Sequence, residues 1–151
     1  MSGLGSPFFL YPPTQHRNPD MDLSKLIPAS DTTTFEIKHP LTGEVLHKDD
    51  DDAMTITVYL PHAKEYKAII HAQTNARIQR AQKGKTNYTS EEIEEATLDL
   101  LVKTTKGWDI QLDGKTPAFS HDLARDVYDK LPWVKAQVLQ AQEDYASFFK
   151  N

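Results

Sequence analysis

The chain has 151 residues, a net charge of −5 and no cysteine, with 38% hydrophobic and 26% charged residues. That length suits one domain able to bury a core, and the acidic balance argues against generic duplex DNA binding, which needs clustered Lys and Arg to displace counterions. The lack of cysteine excludes a disulfide framework, a thiolate metal site and a Cys nucleophile, and no apolar run approaches the roughly 20 residues that span a bilayer.

Residues 1–20 differ in texture from the rest, being rich in Gly, Ser and Pro around Phe8-Phe9-Leu10-Tyr11. Pro7, Pro12 and Pro13 break that apolar run and no basic leader precedes it, so it is not a secretory signal. The stretch reads as a disordered extension, or alternatively as a short aromatic docking peptide. Residues 21–151 read as a single α+β domain, with a β meander over 32–60 and a helical part over 62–151.

Thr33, Phe35 and Ile37 alternate with Thr34, Glu36 and Lys38, the period of a half-buried strand. His39-Pro40-Leu41-Thr42-Gly43 reads as a turn, and Glu44-Val45-Leu46-His47 as a strand pairing back. Asp49 to Asp52 forms an acidic loop before Met54 to Leu60, a third alternating run. Three antiparallel strands with one apolar face need a cover, and four helices follow.

The first helix is expected from His62 to about Gln82, with Tyr66, Ile69, Ile70 and Ala76 as its buried stripe. Lys64, Lys67, Arg77, Arg80 and Lys83 make it basic. Thr89 and Glu92 have the spacing of a capping box. Ile93, Ala96, Thr97, Leu100, Leu101 and Thr104 then recur at helical spacing, with Lys106-Gly107 as the expected end of this second helix. Gly107 to Pro117 reads as a loop with an Asp113-Gly114 turn. Ser120 caps a short helix that points Leu123, Ala124 and Val127 inward. Pro132 opens the last helix, where its missing N–H is harmless, and Val134, Val138, Ala141, Tyr145 and Phe148 form its apolar stripe.

No group of residues in the chain spells a catalytic or cofactor site. Gly84-Lys85-Thr86 and Gly114-Lys115-Thr116 resemble the tail of a P-loop, but the required earlier glycines are replaced by Gln79 and Asp109. Ser120-His121-Asp122 cannot act as a triad, because triad partners come from separated segments. The aspartate run lacks the Gly and Glu of a calcium loop, with Met54 and Leu60 at those places. His39 and His47 face each other only as a weak metal pair across the first hairpin. A non-enzymatic protein without cofactor or metal is the expectation.

Both tryptophans fall in the last third, in a recurring order of turns and helix starts. Gly107-Trp108-Asp109 leads into Asp113-Gly114-Lys115-Thr116-Pro117-Ala118-Phe119-Ser120, then Leu131-Pro132-Trp133-Val134 and Phe148-Phe149-Lys150-Asn151. This pattern resembles the C-terminal half of tail assembly chaperones of long-tailed bacteriophages. The resemblance implies a cytoplasmic factor of the infected host that coats the tape-measure protein and helps recruit the major tail protein. It implies a contact surface of Trp108, Trp133, Tyr145, Phe148 and Phe149, with burial of apolar helix faces as the mechanism. Members of the family described as almost wholly helical do not match the strands expected here. A small structural tail or head-completion protein of the virion therefore stands as the alternative. A DNA-binding regulator using the basic helix is a third reading, and homo-oligomerisation through the last helix is a further expectation.

Overall fold

Runs of β-branched residues build the first two strands of the sheet, and the chain returns to it late to complete it. The computed structural model describes residues 22–144. A single turn of 3-10 helix, Leu23–Leu26, opens on an Asp22 cap. The three strands are β1 (Thr32–Glu36), β2 (Thr55–Tyr59) and β3 (Thr105–Asp109), paired antiparallel in that order. The helices are α1 (Lys64–Gln82), α2 (Ser90–Lys103), α3 (His121–Lys130) and α4 (Pro132–Glu143). This is the α+β class expected from the sequence. The supposed extension over residues 1–20 lies outside the described residues.

The register puts Phe35, Ile56 and Trp108 in one row across the sheet, and Thr33, Val58 and Thr105 in the next. Cross-strand partners share a face, so this side is the apolar one, with Ile56 and Val58 fully buried. The other side carries Thr34 and Thr57, whose hydroxyls meet at 2.7 Å in solvent. Helices α2 and α4 pack on the sheet and α3 bridges them. Between them lie Leu98, Leu101, Val102, Ala124, Val127, Tyr128, Val134 and Val138. Burying Leu101 fully is worth about 1.5–3 kcal/mol.

Two expectations about the sheet are corrected. Glu44 to His47 is not a strand of the sheet. It makes single bridges, Lys38 with Val45 and His47 with Ala53. Its backbone instead joins a three-way link in which the Ile37 N–H donates to Met54 O, Leu46 N–H to Ile37 O, and Met54 N–H to Leu46 O. The third strand comes from Thr105–Asp109, expected as a helix end and loop. Helix α2 stops at Lys103, with Thr104 as its C-cap. Gly107 pairs opposite Thr57 within β3 rather than ending the helix. Trp108 and Ile110, two residues apart, were the strand signal there.

Helix boundaries agree better. The Thr89–Glu92 capping box is made in both directions, at 3.1 and 3.0 Å. Ser120 Oγ accepts from Leu123 N–H at 3.1 Å, and Ala124 and Val127 are buried as expected. Asp113 and Gly114 both take positive φ, at 53° and 76°. They form a two-residue turn closed by reciprocal Leu112–Lys115 bonds.

Candidate functional site

Helix α1 is the unusual element, because 19 helical residues run without one buried side chain. Tyr66 and Ile69 are half-buried, while Ile70 and Ala76 are exposed, so the expected buried stripe is corrected. The physical reason is that α2, α3 and α4 already cover the apolar face of the sheet. Among its neighbours α1 packs mainly against α2. Helices of this length depend on tertiary packing for most of their stability, and α1 is held instead by polar ties. Gln73 Nε2 donates to Ala96 O at 2.9 Å. Arg80 pairs with Glu92, donates to Asn87 O at 2.9 Å, and stacks 4.2 Å above the Tyr88 ring.

The far end of α1 is closed by its own backbone. Gly84 takes φ +84°, its N–H donates to Ala81 O and that of Lys85 to Arg80 O. This is the Schellman arrangement, which favours glycine at the left-handed position. It turns the chain so that α2 runs back antiparallel to α1, with Gln73 opposite Ala96 and Arg80 opposite Glu92.

Helix α2 has two apolar faces, and the sequence shows only their sum. Leu98, Leu101 and Val102 enter the core. The expected stripe of Ile93, Ala96, Thr97 and Leu100 belongs largely to the other face, where Ile93 stays 57% exposed. That face and α1 enclose an open groove of about 1000 Å³. Ile70, Ala76, Ile93, Ala96 and Leu100 form its floor, with Arg77 and Arg80 on one wall and Glu91, Glu92, Glu95 and Asp99 on the other. Arg80 and the Thr89 backbone hold the Glu92 carboxyl at about 2, so it stays charged. Asp99 and Glu95 are engaged from behind by Arg125 of α3.

Comparison of the chain with protein-family models, with curated proteins and with solved structures finds no match.

Of the residues singled out from sequence, Trp108 and Trp133 do not line the groove. Trp108 is half-buried on β3, its indole N–H donating to Pro117 O at 3.0 Å and its ring edge-on to Phe119 at 5.0 Å. Trp133, at the start of α4, packs against the margin of the core. Tyr145, Phe148 and Phe149 lie outside the described residues. The sequence hides the groove because Ile93 and Leu100 read as core on a helix that has a second apolar side. The exposed Ile70 and Ile93, on two helices joined by a short loop, were its available signal.

The weak chemical motifs resolve into local structure. His39 Nδ1 accepts from the Leu41 and Thr42 N–H groups at 3.1 and 3.3 Å, capping its turn. The acidic loop is tied to the end of β3. There, Lys48 Nζ meets Asp109 at 2.9 Å and Asp50 at 3.3 Å. The Asp109 partner holds the Lys48 ammonium above the usual lysine range. Asp49 N–H donates to Gln111 Oε1, and Gln111 Nε2 returns a bond to the Asp49 carboxylate. Among the described residues no cluster of three or more His, Asp or Glu is arranged for a metal ion. No described helix is long and apolar enough to cross a membrane.

Proposed function

We propose that this protein is a non-enzymatic tail assembly chaperone of long-tailed bacteriophages, acting in the host cytoplasm. It binds the tape-measure protein and helps recruit major tail subunits. The observation that carries the reading is an unburied α1 beside an apolar groove of about 1000 Å³. A groove between two helices takes the apolar face of a third, with anchors spaced by one helical turn. Ile70, Ile93 and Leu100 supply the apolar contacts. The basic and acidic walls set the direction in which a client helix lies, since unlike charges fix register and like charges reject it.

The same walls bear on the DNA reading. The basic residues of α1 stand beside the carboxylates of α2, which repel a phosphate backbone where α1 would approach it. Trp108 ties the loop after β3 to Pro117 and Phe119, and Trp133 packs the start of α4 on the core.

Quantitative mass spectrometry of infected-cell lysate and purified virions tests the role. The chaperone reading expects abundance in the lysate and absence from the particle. Stoichiometric presence in the particle makes the chain a structural subunit instead.

A further inference from the structure

We propose that a second copy of this chain seats on the α1–α2 face, about a two-fold axis running parallel to the groove. The two copies then form a four-helix layer in which α1 of one lies over α2 of the other. The inference rests on the groove and not on the identity of any client.

Charge distribution selects this arrangement. Basic residues cluster toward the end of α1, with Arg77, Arg80 and Lys83, and acidic residues toward the start of α2, with Glu91, Glu92, Glu94 and Glu95. Because the two helices run antiparallel, these clusters lie at the same end of the hairpin. A two-fold axis along the groove exchanges the walls while keeping that end in place. It therefore brings the Arg77 side of each copy over the Glu91 side of the other. A two-fold axis across the groove would stack α1 on α1 and α2 on α2, leaving Arg77 of each copy away from Glu91 of the other. An isologous interface must be complementary to itself, and the axis along the groove pairs Arg77 with Glu91 twice. Arg77 and Glu91 both line the groove, and neither has an ion-pair partner among the described residues.

The apolar part agrees. Ile70 and Ile93 are 37% and 57% exposed in the single chain, and the two-fold puts each beside the symmetry-related floor. The 14 residues of α2 span about 21 Å. A face of that length and two helices wide buries on the order of 800 Å² over both copies, the range of weak, reversible contacts. A client helix and a second copy would thus compete for one surface.

Sedimentation velocity of the full chain over a concentration series reaching the millimolar range tests this without any tail protein. The expected result is a reversible shift from one-chain to two-chain mass. Arg77→Glu and Glu91→Arg should each raise the dissociation constant about fivefold, and the double variant should restore it, with folding of all three confirmed by thermal melts. Ile93→Glu should abolish the dimer. A single-chain mass at every concentration overturns the proposal, as does a dimer indifferent to the single substitutions or a double variant no better than either. Capture of a tail protein is read separately, so loss of the dimer alone leaves the chaperone reading standing.

Discussion

Gln142 Nε2, in the last turn of α4, donates to Thr104 Oγ1 at 2.8 Å, at the junction of α2 and β3. It also donates to Tyr59 O at 2.9 Å, and Tyr59 N–H donates to Thr104 O at 2.7 Å. One buried amide thus joins the end of α4 to β2 and to the point where the chain leaves α2 for the sheet. Gln142→Ala is expected to cost about 2 kcal/mol through lost hydrogen bonds in a buried site. Differential scanning calorimetry should show that as a fall of about 4–8 °C.

Tyr128 stands on the same junction, its hydroxyl 2.7 Å from Thr105 Oγ1. Burial pushes its phenol up to about 12, the Thr105 bond opposing the shift. The unfolded chain loses this proton near pH 10 and the folded chain holds it. The stabilisation is therefore fully present below pH 10 and is lost as pH rises toward about 12, amounting to ~3 kcal/mol across that window. Urea melts from neutral pH upward should show stability falling there. Tyr128→Phe, lower in stability at neutral pH, should show a shallower fall.

Glu92 works at the acidic end. Its carboxyl is held at about 2 by Arg80 first and the Thr89 backbone next. A depressed carboxyl contributes above its unfolded value and loses that contribution as pH falls through its folded one. The tie between α1 and α2 should therefore persist until pH approaches about 2. Side-chain NMR titration should place Glu92 there in the wild type and return it toward the ordinary range in Arg80→Gln. An unchanged Glu92 in that variant would remove Arg80 as the cause.

How much of this was legible in the sequence depends on whether the signal was local. Thr89 with Glu92, Ser120, Asp113-Gly114 and Pro132 act within a few residues of themselves, and the structure has each where the sequence puts it. The sheet was legible in class but not in membership. Glu44 to His47 alternates like a strand yet bonds to two neighbours at once, whereas Thr105–Asp109 finds its partner some fifty residues back in the chain. Gly107 misled because glycine suits a helix end as well as a strand. The groove was hidden for a different reason. Periodicity reports that Ile93 and Leu100 share a face, but which face meets the sheet is decided by what else competes for it.

Trp108 separates a supporting role from a contact role. Trp108→Phe removes the indole N–H bond to Pro117 O and weakens the packing on Phe119. Thermal melts should register a loss of about 1–2 kcal/mol. Binding of a tail protein, measured by calorimetry below the melting range, should stay within about twofold of wild type, a shift of less than ~0.5 kcal/mol. A large loss of affinity at unchanged stability would instead place Trp108 in the contact surface.

On the proposed function, the α1–α2 groove holds a helix of the tape-measure protein. The most direct test is co-purification of that protein with the wild-type chain and with Ile93→Glu. Ile93 is 57% exposed, so the substitution should change stability by no more than about 0.5 kcal/mol. Capture by the wild type and its loss in Ile93→Glu at an unchanged melting temperature are expected. Equal capture by both, or none by the wild type, contradicts that function.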